Sequence, residues 1–341
     1  MSRQWDVAVL GATGLVGETM LKVLEERKFP VRELFPLASS RSLGKTVEFR
    51  GRHWPVIDAE TFDFKRAQFG LFSAGGDVSA KYAPRAAAAG CIVIDNTSQF
   101  RYEPDIPLVV PEVNAQEIAR YTQRHIIANP NCSTIQMVVA LKPIHDAVRI
   151  ERINVATYQS VSGAGRQAVE ELADQTAKLL NGRPIDAPVK IAKQIAFNCV
   201  PQIDKFQDNG YTKEEMKMHW ETQKIFGDEQ IRVNATTVRV PVFFGHSEVV
   251  NIETQRKISA AEARALLEKA PGVKVIDERR PGGYPTAVTE AANHDTVYVG
   301  RIREDMSYER GLNLWIVADN IRKGAATNAI QIAEVLARDY L

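Results

Sequence analysis

The sequence predicts an α/β protein of two domains, and three observations support this. The chain starts with a short apolar strand, a glycine-rich turn and an amphipathic helix. Near residue 150 the apolar runs become longer and alternate with polar residues, as in a mixed or antiparallel sheet packed on helices. A last helix over 325–340, rich in small and apolar residues, is expected to return to the first domain.

Size and composition narrow the possible classes of protein. The 341 residues suggest about two domains at roughly 150 residues each. Lys and Arg total 43 against 42 Asp and Glu, so no charge excess predicts a nucleic-acid or membrane partner. No apolar run approaches the roughly 18 residues that span a bilayer, and the first six residues lack the apolar core of a signal peptide. We therefore expect a cytoplasmic protein.

The cysteines argue against a disulfide framework and against a metal site. Cys91, Cys132 and Cys199 are odd in number and far apart in the sequence, and no CxxC pair is present. We therefore predict no metal, and each cysteine has to be interpreted by its own surroundings.

The first strand and turn indicate a nucleotide-binding domain with a Rossmann-like, mostly parallel sheet. The strand over 6–10 leads into the turn GATGLVG (11–17), where glycines let the backbone approach a pyrophosphate that the following helix N-terminus stabilises. The spacing is G-x-x-G-x-x-G, with Thr13 where the commoner motif has glycine. A purely structural strand-to-helix turn is the alternative. Runs at 69–72, 92–95, 108–111 and 126–128 are predicted to complete the sheet.

The next strand ends in a segment that favours NADP over NAD. An NAD site usually has an acidic residue about 20 residues past the glycines, to bind the ribose hydroxyls. Here the chain has Ser39-Ser40-Arg41-Ser42, which suits a 2′-phosphate. The alternative is an ordinary surface turn. A second small-residue turn, Ser73-Ala74-Gly75-Gly76, is another place where backbone could meet a cofactor.

Cys132 is predicted to be a nucleophile. It lies in the segment NPNCST (129–134), between the short strand over 126–128 and a helix predicted over 133–147. Unpaired backbone N–H groups and the positive end of a helix dipole favour a thiolate there. The alternative is a small buried cysteine, which is the commoner case for a single Cys.

The second half of the chain supplies candidate partners for Cys132. His246 is the natural acid/base, and with Arg239 it flanks the apolar segment 240–245. Glu214 and Lys217 share one helix face, where an exposed ion pair is the alternative. The predicted strands and helices of this half cover 152–161, 167–180, 197–201, 213–226, 233–244, 248–254, 260–269, 297–303 and 311–319.

Taken together, these motifs resemble the aspartate-β-semialdehyde dehydrogenase family. The resemblance runs from Gly11 to beyond Asn328. Eight motifs occur in order: GATGLVG (11–17), SSRSLG (39–44), SAGG (73–76), DNTSQFR (95–101), NPNCST (129–134), QSVSGAG (159–165), KEEMK (213–217) and RVPVFFGHS (239–247). One such motif would be weak evidence, whereas eight in order are strong.

The resemblance implies a role for each matching residue. Cys132 would be the nucleophile, His246 the acid/base and Gln159 a residue that positions the substrate. The substrate would be bound by Arg101, Asn131, Glu214, Lys217 and Arg239: Arg239 at its α-carboxylate, Glu214 at its amino group and the others at its phosphate. The NADP site would be lined by Gly11, Thr13, Gly14, Val16, Ser39, Arg41, Ser42, Ser73, Gly75, Gly163, Gly165 and Asn320.

The implied reaction is the NADPH-dependent reductive dephosphorylation of L-β-aspartyl phosphate to L-aspartate β-semialdehyde, through a cysteine thioester. Its partners would be this small acyl phosphate and inorganic phosphate, in the pathway to lysine and diaminopimelate, threonine, methionine and isoleucine. The expected domains are residues 1–130 plus 321–341, which bind NADP, and residues 131–320, which carry catalysis and dimerisation. A homodimer or a dimer of dimers is implied.

Three alternatives are considered, of which glyceraldehyde-phosphate dehydrogenase is disfavoured because its cysteine lies in a different turn context. N-acetyl-γ-glutamyl-phosphate reductase shares the acyl-phosphate chemistry, but its acetylated nitrogen carries no charge to pair with Glu214. A catalytically silent nucleotide-binding protein would not need the set Cys132, His246, Arg101 and Arg239.

Overall fold

The structure is a computed structural model that describes residues 3–341. Met1 and Ser2, part of the segment considered above for a signal peptide, lie outside the described residues. The chain divides into two compact units. Unit 1 is the chain up to Asn131 together with Gly324–Leu341, and unit 2 is Cys132–Lys323. From residue 3 to residue 341, no helix has the length and apolar character needed to cross a membrane.

The described residues form fourteen strands and eight α-helices, with bounds as follows. The strands are β1 (Trp5–Leu10), β2 (Val31–Ala38), β3 (Thr46–Phe49), β4 (Arg52–Pro55), β5 (Ile57–Asp58), β6 (Phe69–Phe72), β7 (Ile92–Asp95), β8 (Ile126–Ala128), β9 (Ile150–Gln159), β10 (Arg232–Arg239), β11 (His246–Thr254), β12 (Val273–Val275), β13 (Val297–Glu304) and β14 (Gly311–Ala318). The helices are α1 (Leu15–Glu26), α2 (Gly76–Ala88), α3 (Pro111–Asn114), α4 (Cys132–Val148), α5 (Arg166–Leu180), α6 (Lys213–Phe226), α7 (Ala260–Leu267) and α8 (Thr327–Asp339).

Unit 1 contains the predicted parallel sheet. Its strand order is β5-β2-β1-β6-β7-β8, and all its neighbouring pairs are parallel, while β3 and β4 form a separate hairpin. Every residue of β1 is buried, which explains why this strand reads as a continuous apolar run instead of an alternating one. The first part of the predicted fold class is confirmed.

The C-terminal helix belongs to unit 1, as predicted. α8 packs against α1, with Ile330 and Leu336 in the same core as Val9 and Leu24. At the edge of this contact, the Arg27 guanidinium donates two hydrogen bonds to the carboxylate of Glu334, at 2.8 and 2.7 Å. The last strand and the last helix of the chain therefore lie in different units.

Unit 2 is built on a mixed sheet with the order β10-β9-β11-β14-β13-β12. β9 is parallel to β10 and β12 to β13, and the remaining pairs are antiparallel. α4 packs against strands of this sheet and against α6 and α7. Residues 133–141 of α4 are all buried, as expected for a helix that is apolar on nearly every face.

Two predicted strands are wrong. Of 108–111, Leu108 alone makes an isolated bridge to Ala128, and Pro111 begins α3, since proline suits the first turn of a helix. Of 197–201, Val200 alone bridges to Arg239, and Phe197 has a φ of +59°, which is incompatible with a strand. The predicted strand over 233–244 also stops early, at Arg239, and the last helix is preceded by a π-helical turn over Arg322–Ala326.

Candidate functional site

Cys132 is the first residue of α4, at the junction that the sequence predicts. It is partly exposed, while the helix behind it is buried. Backbone N–H groups at the start of a helix lack intrahelical acceptors and lie at the positive end of its dipole. This position suits a reactive thiol better than a structural one, in contrast to Cys91, whose burial raises the pKa of its thiol to about 12.

Three side chains meet at one edge of the unit 2 sheet. Gln159 ends β9, Arg239 ends the parallel strand β10 directly beside it, and His246 begins the antiparallel strand β11 on the other side. Parallel strands end at the same edge of a sheet, and an antiparallel neighbour starts there. The topology therefore gathers residues that are 80 and 87 positions away from Gln159 in the chain.

The His246 imidazole is fully buried and its surroundings support both neutral tautomers. Burial first, and then the neighbouring Arg239, lower its pKa to about 3. The backbone N and the Oγ of Ser160 each lie 3.1 Å from Nδ1, and Gln159 Nε2 lies 3.3 Å from Nε2. Ser160 N–H donates to an unprotonated Nδ1, whereas Ser160 Oγ accepts from a protonated one. Nε2 can therefore present either a proton or a lone pair to a reacting atom.

Asn320 fixes the turns around this histidine. Its Oδ1 accepts hydrogen bonds from Ser160 Oγ at 3.0 Å, from Ser162 Oγ at 3.2 Å and from the Gly245 N–H at 3.0 Å. The side chain is only 2% exposed. Asn320 therefore joins the segment of Ser160 and Ser162 to Gly245, the residue before His246. That Asn320 also lines a cofactor site stays a prediction.

Gly163 lies directly against the histidine and the arginine. A Cβ at Gly163 would be 3.1 Å from Arg239 Nη1 and 3.3 Å from His246 Nε2, so a side chain there would press on both groups. Gly165, two residues on, has a φ of +92° and begins α5 as its N-cap. The close approach to the two side chains therefore depends on glycine at position 163, whereas glycine at 165 serves the positive φ.

A charge cluster formed by Glu214, Lys217 and the more exposed Asp204 adjoins Gln159. Glu214 accepts a hydrogen bond from Gln159 Nε2 at 3.1 Å and one from Lys217 Nζ at 2.9 Å. Lys217 Nζ also donates to Asp204 at 2.9 Å. Burial alone would raise the pKa of Asp204, but the Lys217 ammonium holds it below its usual value. The side chains of Glu214 and Lys217 are 6% and 12% exposed, so the alternative of an exposed ion pair is wrong.

Arg239 is a buried cation near Glu214 and Cys132. It is 6% exposed, and its Nη1 donates to the Ser160 carbonyl at 2.6 Å. Burial lowers the pKa of its guanidinium, while Glu214 and Cys132 act in the opposite direction. Arg239, Glu214 and Cys132 are thus close enough to interact electrostatically within unit 2. Such a grouping of charges can bind a small zwitterionic molecule next to a thiol.

Unit 1 has two adjacent turns that fit a dinucleotide. Gly11 follows β1 with a φ of +89°, and a Cβ there would lie 2.8 Å from the Ser73 carbonyl oxygen, after β6. Gly14 is the N-cap of α1 and Gly75 the N-cap of α2, and neither helix has a side-chain cap. Their first N–H groups therefore remain for an anion such as a pyrophosphate. Thr13, Val16 and Ser73 are half-buried along these turns.

The other predicted ligand-binding residues of unit 1 differ in their exposure. Ser39 and Arg41 are exposed and Ser42 half-buried, on a 3₁₀ turn that directly follows β2. Arg101 is 5% exposed, so it is not a surface arginine, and its Nη2 donates to the Asn96 carbonyl at 3.0 Å. Asn131, the residue before Cys132, is also buried.

Several residues around the site escaped the sequence analysis. Ser160 was visible only as part of a turn, yet it contacts the histidine ring. Asp204 and Glu248 lie in segments that gave no chemical signal, and only their burial or ion pairing in the structure identifies them. Over residues 3–341, no group of three or more His, Cys, Asp or Glu side chains is arranged to hold a metal.

A dinucleotide-type unit, joined to a second unit with a thiol, an imidazole and buried charges, is the arrangement of a semialdehyde dehydrogenase. The family model "Semialdehyde dehydrogenase, NAD binding domain" matches residues 6–121, and "Semialdehyde dehydrogenase, dimerisation domain" matches residues 141–323. Within that class, the aspartate-semialdehyde dehydrogenase of Shewanella violacea is 63% identical over 340 residues, which cover 100% of both chains. The chain belongs to the aspartate-semialdehyde dehydrogenase family.

Solved structures agree with this assignment. The crystal structure of aspartate semialdehyde dehydrogenase II from Vibrio cholerae, complexed with ASA, is 61% identical, covers 100% of each chain and superimposes with a TM-score of 0.98. A Candida albicans aspartate semialdehyde dehydrogenase with NADP is 25% identical over 98% of each chain, with a TM-score of 0.76. The predicted family is confirmed, and N-acetyl-γ-glutamyl-phosphate reductase is not favoured.

Proposed function

We propose that this protein reduces L-β-aspartyl phosphate to L-aspartate β-semialdehyde with NADPH and releases inorganic phosphate. The observation that carries the proposal is the pairing of buried Arg239 and buried Glu214 beside Cys132. A free amino acid end needs one cation for its carboxylate and one anion for its ammonium group. A substrate whose nitrogen is acetylated would bring no positive charge to Glu214, whose carboxylate already pairs with Lys217.

The remaining polar groups of the site complete the binding of the substrate. Arg239 binds the α-carboxylate, Glu214 the amino group, and Gln159 holds the reacting acyl group between Cys132 and His246. Lys217, Arg101 and Asn131 bind the phosphate, as the family resemblance implies. Lys217 already bridges Glu214 and Asp204 at 2.9 Å from each, so its ammonium group is held in place before the phosphate arrives.

The chemistry divides into two stages on the Cys132 sulfur. His246 Nε2 takes the thiol proton as sulfur attacks the acyl carbon, and passes it to the departing phosphate oxygen, which leaves a thioester. After reduction, the thiohemiacetal oxyanion collapses, its C–S bond breaks and sulfur leaves as a thiolate. His246 then takes up a proton from solvent and passes it to the sulfur, which restores the thiol. N–H groups at the start of α4 stabilise the oxyanion at each stage. Because His246 is buried with a pKa of about 3, it does not retain the proton between these steps.

NADPH supplies the hydride in this proposal, and unit 1 fits it. Gly11, Thr13, Gly14, Val16, Ser73 and Gly75 form the two uncapped turns for the pyrophosphate, and Ser39, Arg41 and Ser42 bind the 2′-phosphate. Arg41 is exposed after β2, where an arginine can contact that phosphate. Gly163, Gly165 and Asn320 are the further residues that the family resemblance assigns to NADP.

The proposal includes the assembly and location of the protein. Unit 2 matches the dimerisation domain of the family, and we propose a homodimer, or a dimer of dimers, formed through it. The domain roles follow the predicted division, with residues 1–130 and 321–341 for NADP and 131–320 for catalysis. A cytoplasmic location suits a catalytic thiol that has to stay reduced.

The reverse reaction tests the function. Aspartate semialdehyde, inorganic phosphate and NADP are mixed with the protein, and NADPH formation is followed by absorbance. We expect turnover that requires phosphate and is lost in Cys132→Ser. N-acetylglutamate semialdehyde and NAD are run in parallel. Turnover with the acetylated substrate alone would refute the assignment, and full activity of Cys132→Ser would refute the thioester.

A further inference from the structure

Glu248 is a fully buried carboxyl group that the reaction above does not use. It lies on β11 two residues after His246, so both side chains are on the same face of the strand. Within residues 3–341, no protein group makes a well-formed hydrogen bond to either of its carboxyl oxygens. A buried polar group of this kind is costly, and a core position would be more stable with an apolar side chain.

The group that faces Glu248 comes from the helix of Cys132. Gln136 lies four residues after Cys132 on α4, one turn along the same side of the helix, and it is fully buried. Like the Glu248 oxygens, its two amide atoms make no well-formed hydrogen bond to the described residues. Burial raises the pKa of Glu248 well above its ordinary value, and the Gln136 carboxamide opposes this rise only in part. A neutral carboxyl and a carboxamide are complementary, because each has one donor and one acceptor to exchange.

The two pairs are stacked in layers. In the outer layer are the reacting groups, Cys132 at the start of α4 and His246 at the start of β11. One layer further in are Gln136 and Glu248, each on the same element as its reacting group. α4 packs directly on β11, so the inner pair spans the same helix–strand interface as the outer pair.

A third strand joins the inner layer. Thr157 of β9 is directly opposite Glu248 in the sheet, and it is fully buried. Its Oγ1 is 3.1 Å from Gln159 Oε1, to which it donates. Each inner residue thus follows the site residue of its own element in the direction of the core. Thr157 corresponds to Gln159 on β9, Glu248 to His246 on β11 and Gln136 to Cys132 on α4.

We propose that Glu248 is a positioning residue, which together with Gln136 fixes Cys132 relative to His246. The proposal rests on the proposed function, since it concerns the same thiol and imidazole. The contact links the helix that carries the nucleophile to the strand that carries the acid/base. Without the Gln136–Glu248 pair, α4 can shift relative to β11. A displacement of about 1 Å between reacting groups can lower the rate by about 100-fold.

The test compares three variants in the phosphate-dependent oxidation of aspartate semialdehyde. Glu248→Leu removes the polar pair, and we expect kcat to fall by about 30-fold or more while KM changes less than about threefold, because Arg239 and Glu214 are untouched. Glu248→Gln keeps a donor and an acceptor and should retain kcat within about fivefold. The matched control is Val250→Ala, at the next buried position of the same strand face, which lowers stability without lowering kcat.

A double-mutant cycle gives a second readout should Glu248→Leu fold poorly. Gln136→Leu alone should lower kcat as Glu248→Leu does, and the double variant should cost little more than either one, because both remove the same contact. Unchanged kcat in Glu248→Leu, an equal loss in Val250→Ala, an equal loss in Glu248→Gln, or additive effects in the cycle would each overturn the proposal. The wild-type assay and Cys132→Ser judge the proposed function independently of these variants.

Discussion

Replacing His246 by asparagine should change how the stability of the protein depends on pH. The asparagine Oδ1 can take the place of Nδ1 as an acceptor from Ser160 N–H, so the turn is kept while the titratable group is lost. The folded state holds His246 neutral, with a pKa of about 3 against 6.5 for an ordinary histidine. The unfolded chain therefore binds the proton first as the pH falls.

The sign and the size follow from proton linkage. A depressed pKa contributes stability that is present above pH 6.5 and is lost as the pH falls toward 3. Each pH unit in that window is worth about 1.4 kcal/mol, so wild type should lose about 2 kcal/mol relative to His246→Asn between pH 6.5 and pH 5. His246 is fully buried, so solvent does not screen this effect. For an unfolding unit of the size of unit 2, residues 132–323, the difference corresponds to about 4–8 °C in Tm.

The assay is thermal or urea unfolding of both proteins at closely spaced pH values from 5 to 8. The measured quantity is the difference in unfolding free energy between the two proteins at each pH. The pH dependence contributed by other titrating groups, including Glu248, is common to both proteins and cancels in this difference. Ser162→Ala is a control, because it removes a buried hydrogen bond to Asn320 without removing a titratable group, and its difference from wild type should not vary with pH. A His246→Asn difference that is constant from pH 5 to 7.5, or that moves in favour of wild type at low pH, would refute the reasoning.

Three further predictions concern binding and the nucleotide turn. Glu214→Gln should raise KM for aspartate semialdehyde by about 10- to 100-fold, measured in the phosphate-dependent assay, because a charge-assisted bond to the ammonium group is lost. An unchanged KM would contradict the assigned role. Arg41→Ala should raise KM for NADP by about tenfold or more and leave KM for NAD unchanged, and equal changes for both cofactors would argue against a 2′-phosphate contact. Gly17→Ala would place a Cβ 2.1 Å from the Gly11 carbonyl oxygen, so unit 1 should lose about 2 kcal/mol or more in urea unfolding, and wild-type stability would contradict this packing.

The sequence was sufficient for the features that depend on neighbouring residues. The strand, glycine turn and helix at Gly11, the uncapped start of α1 and the place of Cys132 at the first residue of α4 are local properties of the chain. The lengths of α4 and α6 follow from their apolar spacing and, in α6, from a capping box at Thr212. Such elements are determined by neighbouring residues, and the order of the eight motifs along the chain is sufficient to identify the family.

Tertiary structure alone decided where side chains from distant segments meet. Gln159, Arg239 and His246 converge because β9 and β10 are parallel and β11 is antiparallel, and strand pairing is not encoded in any one segment. The neutral state of His246 depends on burial and on Arg239, which the pattern around the histidine does not contain. Glu248 reads in the sequence as an ordinary charged residue of a strand. It becomes informative only because the fold buries its carboxyl group against the helix that carries Cys132.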